Sequence, residues 1–209
     1  MPNRRKRRQG RFIVIDGPDG AGKTTQVGLL AERLRLLGKT VEVLRDPGGT
    51  AIGEKVREIL LDKALKTMTP VTEAFLYMAS RAQLVAEKIR PALEEGKVVL
   101  MDRFACSTVV YQGIAGGVSD RAIEQMTRTA TGGVKPLLTV IIDIPPDVGL
   151  ARVGSNRDRV ESKGVSFQAL VREGFLEYAR RHKATVVVDG SAPPQKVNEE
   201  IWNALKNAL

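Results

Sequence analysis

The chain has 209 residues, 43% of them hydrophobic, which is enough to bury the core of one domain. Its formal charge is +9, but Arg4, Arg5, Lys6, Arg7 and Arg8 carry five of those charges and leave only +4 for the rest. No apolar run approaches the roughly 20 residues that span a bilayer, no apolar signal segment follows the basic N-terminus, and the single Cys106 and single His182 exclude an intrachain disulfide framework and a clustered metal centre.

These bounds predict a cytoplasmic protein with a basic, disordered arm at 1–10 and one domain over 11–209. Arg11 to Asp16 reads as a buried strand and Lys23 to Leu37 as a helix ended by Gly38. Between them lies Gly17-Pro18-Asp19-Gly20-Ala21-Gly22-Lys23-Thr24-Thr25, which fits G-x-x-x-x-G-K-[ST]. In a strand-loop-helix setting, that pattern gathers backbone N–H groups around a polyphosphate. Lys23 then reaches the outer phosphates, and the Thr24 hydroxyl ligates the accompanying magnesium ion.

Thr40 to Leu44 is a second strand, closed by a loop over Arg45 to Thr50, and Ala51 to Leu61 is a helix. A long helical segment runs from Pro70 to about Glu95, broken or kinked at Pro91. Val98 to Met101 is an apolar third strand that delivers Asp102-Arg103 at its carboxyl end. Gly113 to Gly117 reads as a loop, Asp120 to Thr131 as a helix, Leu138 to Asp143 as a fourth strand and 145–152 as a short helix. Val153 to Gly164 is polar, with too few apolar residues to anchor it, and reads as a mobile flap. A helix over Ser166 to His182, a fifth strand over Thr185 to Val188 and a helix over Pro194 to Leu209 complete the chain. Five short strands alternating with helices predict an α/β fold, a parallel sheet with helices on both faces.

Phosphoryl transfer needs cations converging from several loops to hold an anionic donor against an anionic acceptor. Lys23 follows the first strand, Arg45 the second and Arg103 the third, while Arg157 and Arg159 lie in the flap. Open parallel sheets bind ligands at these strand ends. Tyr77 and Arg81, four residues apart, share a helix face. Together they can stack a base and donate to its carbonyl, although Tyr77 on its own reads more readily as a core aromatic.

Four motifs in order resemble the thymidylate kinase family in its bacterial and archaeal form: the loop 17–25, Asp46-Pro47-Gly48-Gly49-Thr50, Phe75 to Gln83, and Asp102-Arg103-Phe104 with Ser107 to Gly113. Asp158-Arg159-Val160-Glu161 and Val171 to Leu176 extend the likeness, so that only the arm lies outside it. The resemblance implies a P-loop NTPase fold and a single kinase domain with a lid at about 153–164. It also implies transfer of the γ-phosphoryl group of MgATP to dTMP, in a family that commonly forms homodimers; a membrane partner is not expected, nor is nucleic acid despite the basic arm. By position, Tyr77 stacks on thymine, Arg81 bonds its ring carbonyl, Arg103 holds the acceptor phosphate, and Thr108 touches the base edge with Ser107 and Gln112 beside it. Tyr111 crowds the sugar in favour of deoxyribose, and Asp19 positions acceptor or metal.

Asp102 joins Thr24 as a magnesium ligand, partly through water. Both Asp19 and Asp102 are assigned to positioning, because a phosphate monoester with its second ionisation near about pH 6 arrives deprotonated and needs no general base. Ser191, in Asp189-Gly190-Ser191-Ala192, falls in a turn resembling the one that holds the donor adenine; an ordinary strand-to-helix loop accounts for it as well.

Some members of this family carry a catalytic arginine inside the phosphate loop, whereas this chain has Gly20 and Ala21 there. The cation must then come from the flap, with Arg157 as first choice, Arg159 as second and Arg152 as third. Tyr77 and Asp46 depart from the more usual phenylalanine and glutamate. The alternatives are a kinase for another nucleoside monophosphate and a nucleotide-gated module gripping nucleic acid through Arg4 to Arg8, which leaves the acceptor residues unexplained.

Overall fold

A computed structural model describes residues 10–155 and 158–206; Arg4 to Arg8 and Arg157 lie outside the described residues. Five strands form one parallel sheet: β1 (Arg11–Asp16), β2 (Val41–Arg45), β3 (Val98–Asp102), β4 (Leu138–Asp143) and β5 (Thr185–Asp189). Their spatial order is β2-β3-β1-β4-β5. β1 therefore lies at the centre, with Ile13 beside Leu100 on one side and Leu138 on the other. Buried on both faces, β1 and β3 read as unbroken apolar runs.

Side-chain alternation along β1 builds two cores. Ile13 and Ile15 face α1 (Lys23–Leu36) and α9 (Pro194–Leu205), meeting Leu30, Leu34, Ile201 and Leu205. Phe12 and Val14 face the other way and pack with Leu84, Val85, Ile89 and Phe104. Phe12 and Phe104 meet edge-on with ring centroids 5.0 Å apart, a favoured aromatic geometry. On that second face stand α3 (Pro70–Leu84), α4 (Arg90–Glu94) and, just after Phe104, α5 (Ala105–Thr108), while α2 (Ala51–Leu61) and α6 (Asp120–Thr131) pack against α3. α7 (Pro146–Val153) and α8 (Val165–Arg181) follow β4, and Val171 and Phe175 of α8 pack on Ile141, Val110 and Cys106.

The expected break at Pro91 takes the form of a wide turn. Residues Val85–Ile89 form a π-helical turn, and the Arg90 amide bonds the Val85 carbonyl. The ladder has already shifted register before it reaches Pro91, whose missing N–H is then no loss. A second π turn, Val109–Ile114, takes in Gly113, which the sequence placed in a loop. β2 runs one residue later than expected, so Arg45 is its last residue and Asp46 the first beyond it. The strand ends thus present Asp16, Arg45 and Asp102 side by side, and the register pairs Ile15 and Arg45 each with Asp102.

The polar segment after α7 is not free of the body. Its Arg159 and Val160 are buried, and Arg159 pairs with Glu73 of α3 at 2.6 Å. The expectation of an unanchored flap rested on its few apolar residues; one of them, Val160, joins the cluster of Val171 and Phe175, and the Arg159–Glu73 ion pair supplies the rest of the anchor.

Candidate active site

The loop 17–25 joins β1 to α1 over the carboxyl edge of the sheet. Gly22 is the N-cap of α1 in the left-handed region, with φ 89°, and no side chain caps the helix. Its first N–H groups thus remain available to an anion at the positive end of the helix dipole. Gly20, also left-handed with φ 75°, lies so close to α7 that a Cβ there would stand 2.2 Å from the Gly149 carbonyl oxygen. Lys23 is buried, and its Nζ donates to the Pro18 carbonyl at 2.6 Å. Burial, and then the Arg103 charge, lower its pKa to about 8 against the opposing pull of Asp19, Asp102 and Asp16.

Thr24 Oγ1 donates to Asp102 Oδ2 at 2.5 Å across the loop and the end of β3. One hydroxyl and one carboxylate, both lining the cleft, form an oxygen donor set of the kind magnesium takes alongside water and phosphate. No cluster of three or more His, Cys, Asp or Glu side chains suited to a metal exists among the described residues, so phosphate oxygens and water must complete any such coordination.

Arg103 connects this loop to the opposite side of the cleft. Its backbone is left-handed at φ 66°, the one non-glycine residue so placed among the described residues. Nη1 donates to the Gly17 carbonyl at 3.1 Å and to Ser107 Oγ at 3.0 Å, while Nη2 bonds Asp19 Oδ1. Asp19 Oδ2 accepts from the Tyr111 hydroxyl and from Gln168 Nε2, each at 3.1 Å. Burial alone would raise the Asp19 pKa, but Arg103 and Lys23 outweigh it and hold the group ionised. Arg103 also lies over the Tyr111 ring, 5.3 Å from its centroid, within cation–π range.

Tyr77, Ser107, Thr108, Tyr111 and Gln112 line the same cleft as the phosphate loop, as does Arg45. The cavity measures about 1310 Å³, above the roughly 300–1,000 Å³ of a typical single-ligand pocket and roomy enough for two nucleotides. Arg81 stands behind its wall, 1% exposed. Its Nε meets Asp46 at 2.5 Å, and Nη2 donates to Thr108 Oγ1 at 2.9 Å and to the Phe104 carbonyl. Arg45 is half exposed and pairs with Glu54 at 2.8 Å. Gln112 is buried and donates to Glu73.

On the donor side, Gly190 and Ala192 line the cleft, whereas Ser191 is exposed outside it. Arg152 of α7 donates to the Gly190 carbonyl at 3.1 Å and lies 3.5 Å from the Gly20 carbonyl. Of the flap candidates among the described residues, Arg152 is therefore the one beside the phosphate loop. Arg159 points away from it, bound to Glu73 and to the Leu60 carbonyl.

Three residues of the site were missed in sequence. Asp16, wholly buried, accepts from the Gly17 amide at 2.9 Å and from both the amide and hydroxyl of Ser107, at 3.1 and 2.7 Å. A carboxylate ending an apolar strand was the signal available for it. Glu73 shares a helix face with Tyr77 at i,i+4 spacing, a weaker signal. Gln168 carried none.

A family model described as thymidylate kinase matches residues 15–201. A thymidylate kinase of Deinococcus radiodurans is 46% identical over 200 residues, covering 94% of this chain and 97% of that protein. One from Thermoanaerobacter sp. is 46% identical over 203 residues, covering 96% of this chain and all of that protein. The crystal structure of thymidylate kinase from Ehrlichia chaffeensis superposes with a TM-score of 0.77 at 30% identity, over 94% of this chain and 99% of that one.

The environment of Lys23 makes polyphosphate binding pH-dependent. In the free protein Lys23 loses its proton through about pH 8, whereas bound phosphates keep it protonated, so binding takes up protons and weakens as pH rises above that point. Calorimetry of tripolyphosphate binding near pH 8, in buffers of different ionisation enthalpy, is expected to show greater proton uptake by the wild-type protein than by Lys23→Met. Equal uptake in the two would assign the proton elsewhere.

Proposed function

We propose a division of roles within this cleft from one premise: the chain belongs to the thymidylate kinase family and transfers the γ-phosphoryl group of ATP to dTMP, giving dTDP and ADP. The observation that carries the assignment is the placement of Arg103, one guanidinium bonded to the phosphate loop at Gly17 and to the acceptor wall at Ser107. An acceptor phosphate held there lies at the edge of the loop that cradles the donor, as in-line transfer requires.

In this reading the amides of 17–25 and Lys23 hold the ATP phosphates. Thr24, with Asp102 through water, holds a magnesium ion, which when bound screens the donor charges and orients the phosphates. Asp19 keeps Arg103 and Tyr111 aligned and takes no proton, since the acceptor phosphate arrives as a dianion. The Tyr77 ring stacks on thymine; its hydroxyl, whose pKa is raised by burial, stays neutral. Thr108 meets the base edge, with Arg81 behind it fixing the hydroxyl through a 2.9 Å bond. Tyr111, tied to Asp19, stands where a ribose 2′-hydroxyl would need room, which favours the deoxy sugar.

The segment 153–164 serves as the lid. Arg152 at its base supplies the cation that the phosphate loop lacks, an arginine in cis. The turn around Gly190 and Ala192 receives the adenine. A homodimer in the cytoplasm completes the reading: α2 and α3 pack together and leave Ile52, Ile59, Val71 and Phe75 exposed, an apolar face suited to a second copy of the chain. Among the described residues no helix is long and apolar enough to cross a membrane.

Arg152→Ala is expected to lower kcat by about a hundredfold or more with little change in the KM for dTMP, measured by coupled ADP release. An unaltered kcat would move the role to Arg157. Phe75→Glu is expected to convert dimer to monomer in sedimentation velocity; an unchanged dimer would place the interface on another face.

A further inference from the structure

Glu73 lies one helical turn ahead of Tyr77 on α3, and its carboxylate is 1% exposed. Three side chains from two other segments converge on it. Gln112 of the second π turn donates to Oε2 at 2.8 Å, and Arg159 and Lys163 donate to Oε1 at 2.6 and 3.1 Å. Burial alone would push its pKa up, but the bonds from Arg159, Gln112 and Lys163 outweigh burial and hold the group below the ordinary glutamate range, so it is a carboxylate at neutral pH.

A buried carboxylate tolerates little displacement of its partners, because losing one leaves an uncompensated charge in a poorly solvated place. Arg159 has a second tie, Nε to the Leu60 carbonyl at 2.9 Å, while its Nη2 is buried without a hydrogen-bond partner. The spacing of three walls of the acceptor cleft is therefore set at one point. α3 carries Tyr77, the π turn carries Tyr111 and Gln112, and the segment 158–163 contributes Asp158, Val160 and Glu161 to the lining, whereas Glu73 itself does not line the cleft.

We propose that Glu73 is a positioning residue for dTMP: it fixes the gap between the Tyr77 ring and the 108–112 wall, and so the fit of thymine, without touching the nucleotide. This rests on the acceptor site assigned above, and it concerns acceptor affinity while leaving the donor site alone. Among the described residues Lys23 bonds Pro18, and Arg152 bonds Gly190, with no hydrogen bond from either pair to this network.

The test is steady-state kinetics of the full-length chain with dTMP and ATP varied separately, for Glu73→Gln, for the double variant Glu73→Gln with Arg159→Gln, and for Tyr77→Ala, together with thermal unfolding. Glu73→Gln is expected to raise the KM for dTMP about tenfold and the KM for ATP less than about twofold. It strands Arg159 as a buried cation and lowers Tm; the double variant removes that cation and regains Tm, yet keeps the raised KM for dTMP. Equal rises in both KM values would overturn the proposal. So would a KM for dTMP that returns to the wild-type value in the double variant, whatever its Tm. If Tyr77→Ala leaves the KM for dTMP unchanged, the acceptor site itself is misassigned; if Tyr77→Ala raises it and Glu73→Gln does not, only the role of Glu73 falls.

Discussion

The site depends on a carboxylate that must not be left alone. Asp16 ends the central strand with no exposed surface, and burial raises its pKa against the pull of Arg103 and the Ser107 hydroxyl. Desolvating such a group costs several kcal/mol in the absence of partners, so the chain supplies them from both sides. The Gly17 amide begins the phosphate loop, Ser107 begins the acceptor wall, and Arg103 approaches within 3.5 Å. Donor loop and acceptor wall are thus fixed to the same atom pair before any nucleotide arrives.

Arg103 adopts a left-handed backbone to meet that demand, a conformation costing a non-glycine residue about 1–3 kcal/mol unless its surroundings impose it. Here they do, since its guanidinium is held by Gly17, Ser107 and Asp19 together. In the proposed reading that strain places a cation between donor and acceptor phosphates, where it offsets their charge. Asp19 bonds the same guanidinium in the free protein, and an acceptor phosphate held there would compete with it. On the donor side, burial first and then the Arg103 charge lower the pKa of Lys23, so in the proposed reading a donor phosphate adds to the support that nearby carboxylates give this ammonium.

Much of this was legible in the sequence because the informative residues lie at the ends of apolar strands. The pattern 17–25, Arg45, and Asp102-Arg103 each follow such a run, and a parallel sheet brings those ends together whatever the intervening helices do. The five parallel strands and both helical layers followed from the same alternation; the spatial order β2-β3-β1-β4-β5 did not. What stayed hidden was pairing between distant segments. Gln168 reaches Asp19 across 149 residues and Arg159 reaches Glu73 across 86, and nothing in local spacing marks either. The segment after α7 was read as unanchored because its apolar residues are few, yet an ion pair fixes it. Helix spacing put Arg81 on the face of Tyr77 and the family resemblance put it at the base; neither could reveal that Asp46 and Thr108 engage it from behind the wall.

The role of Arg103 is tested most directly by a crystal structure of the protein with dTMP and a non-hydrolysable MgATP analogue. It is expected to show the dTMP phosphate on the Arg103 guanidinium beside Gly17, replacing part of the contact with Asp19, and thymine stacked on Tyr77 with its edge on Thr108. A dTMP phosphate bound away from Arg103, with thymine off the Tyr77 ring, would contradict the claim that this arginine joins donor loop to acceptor.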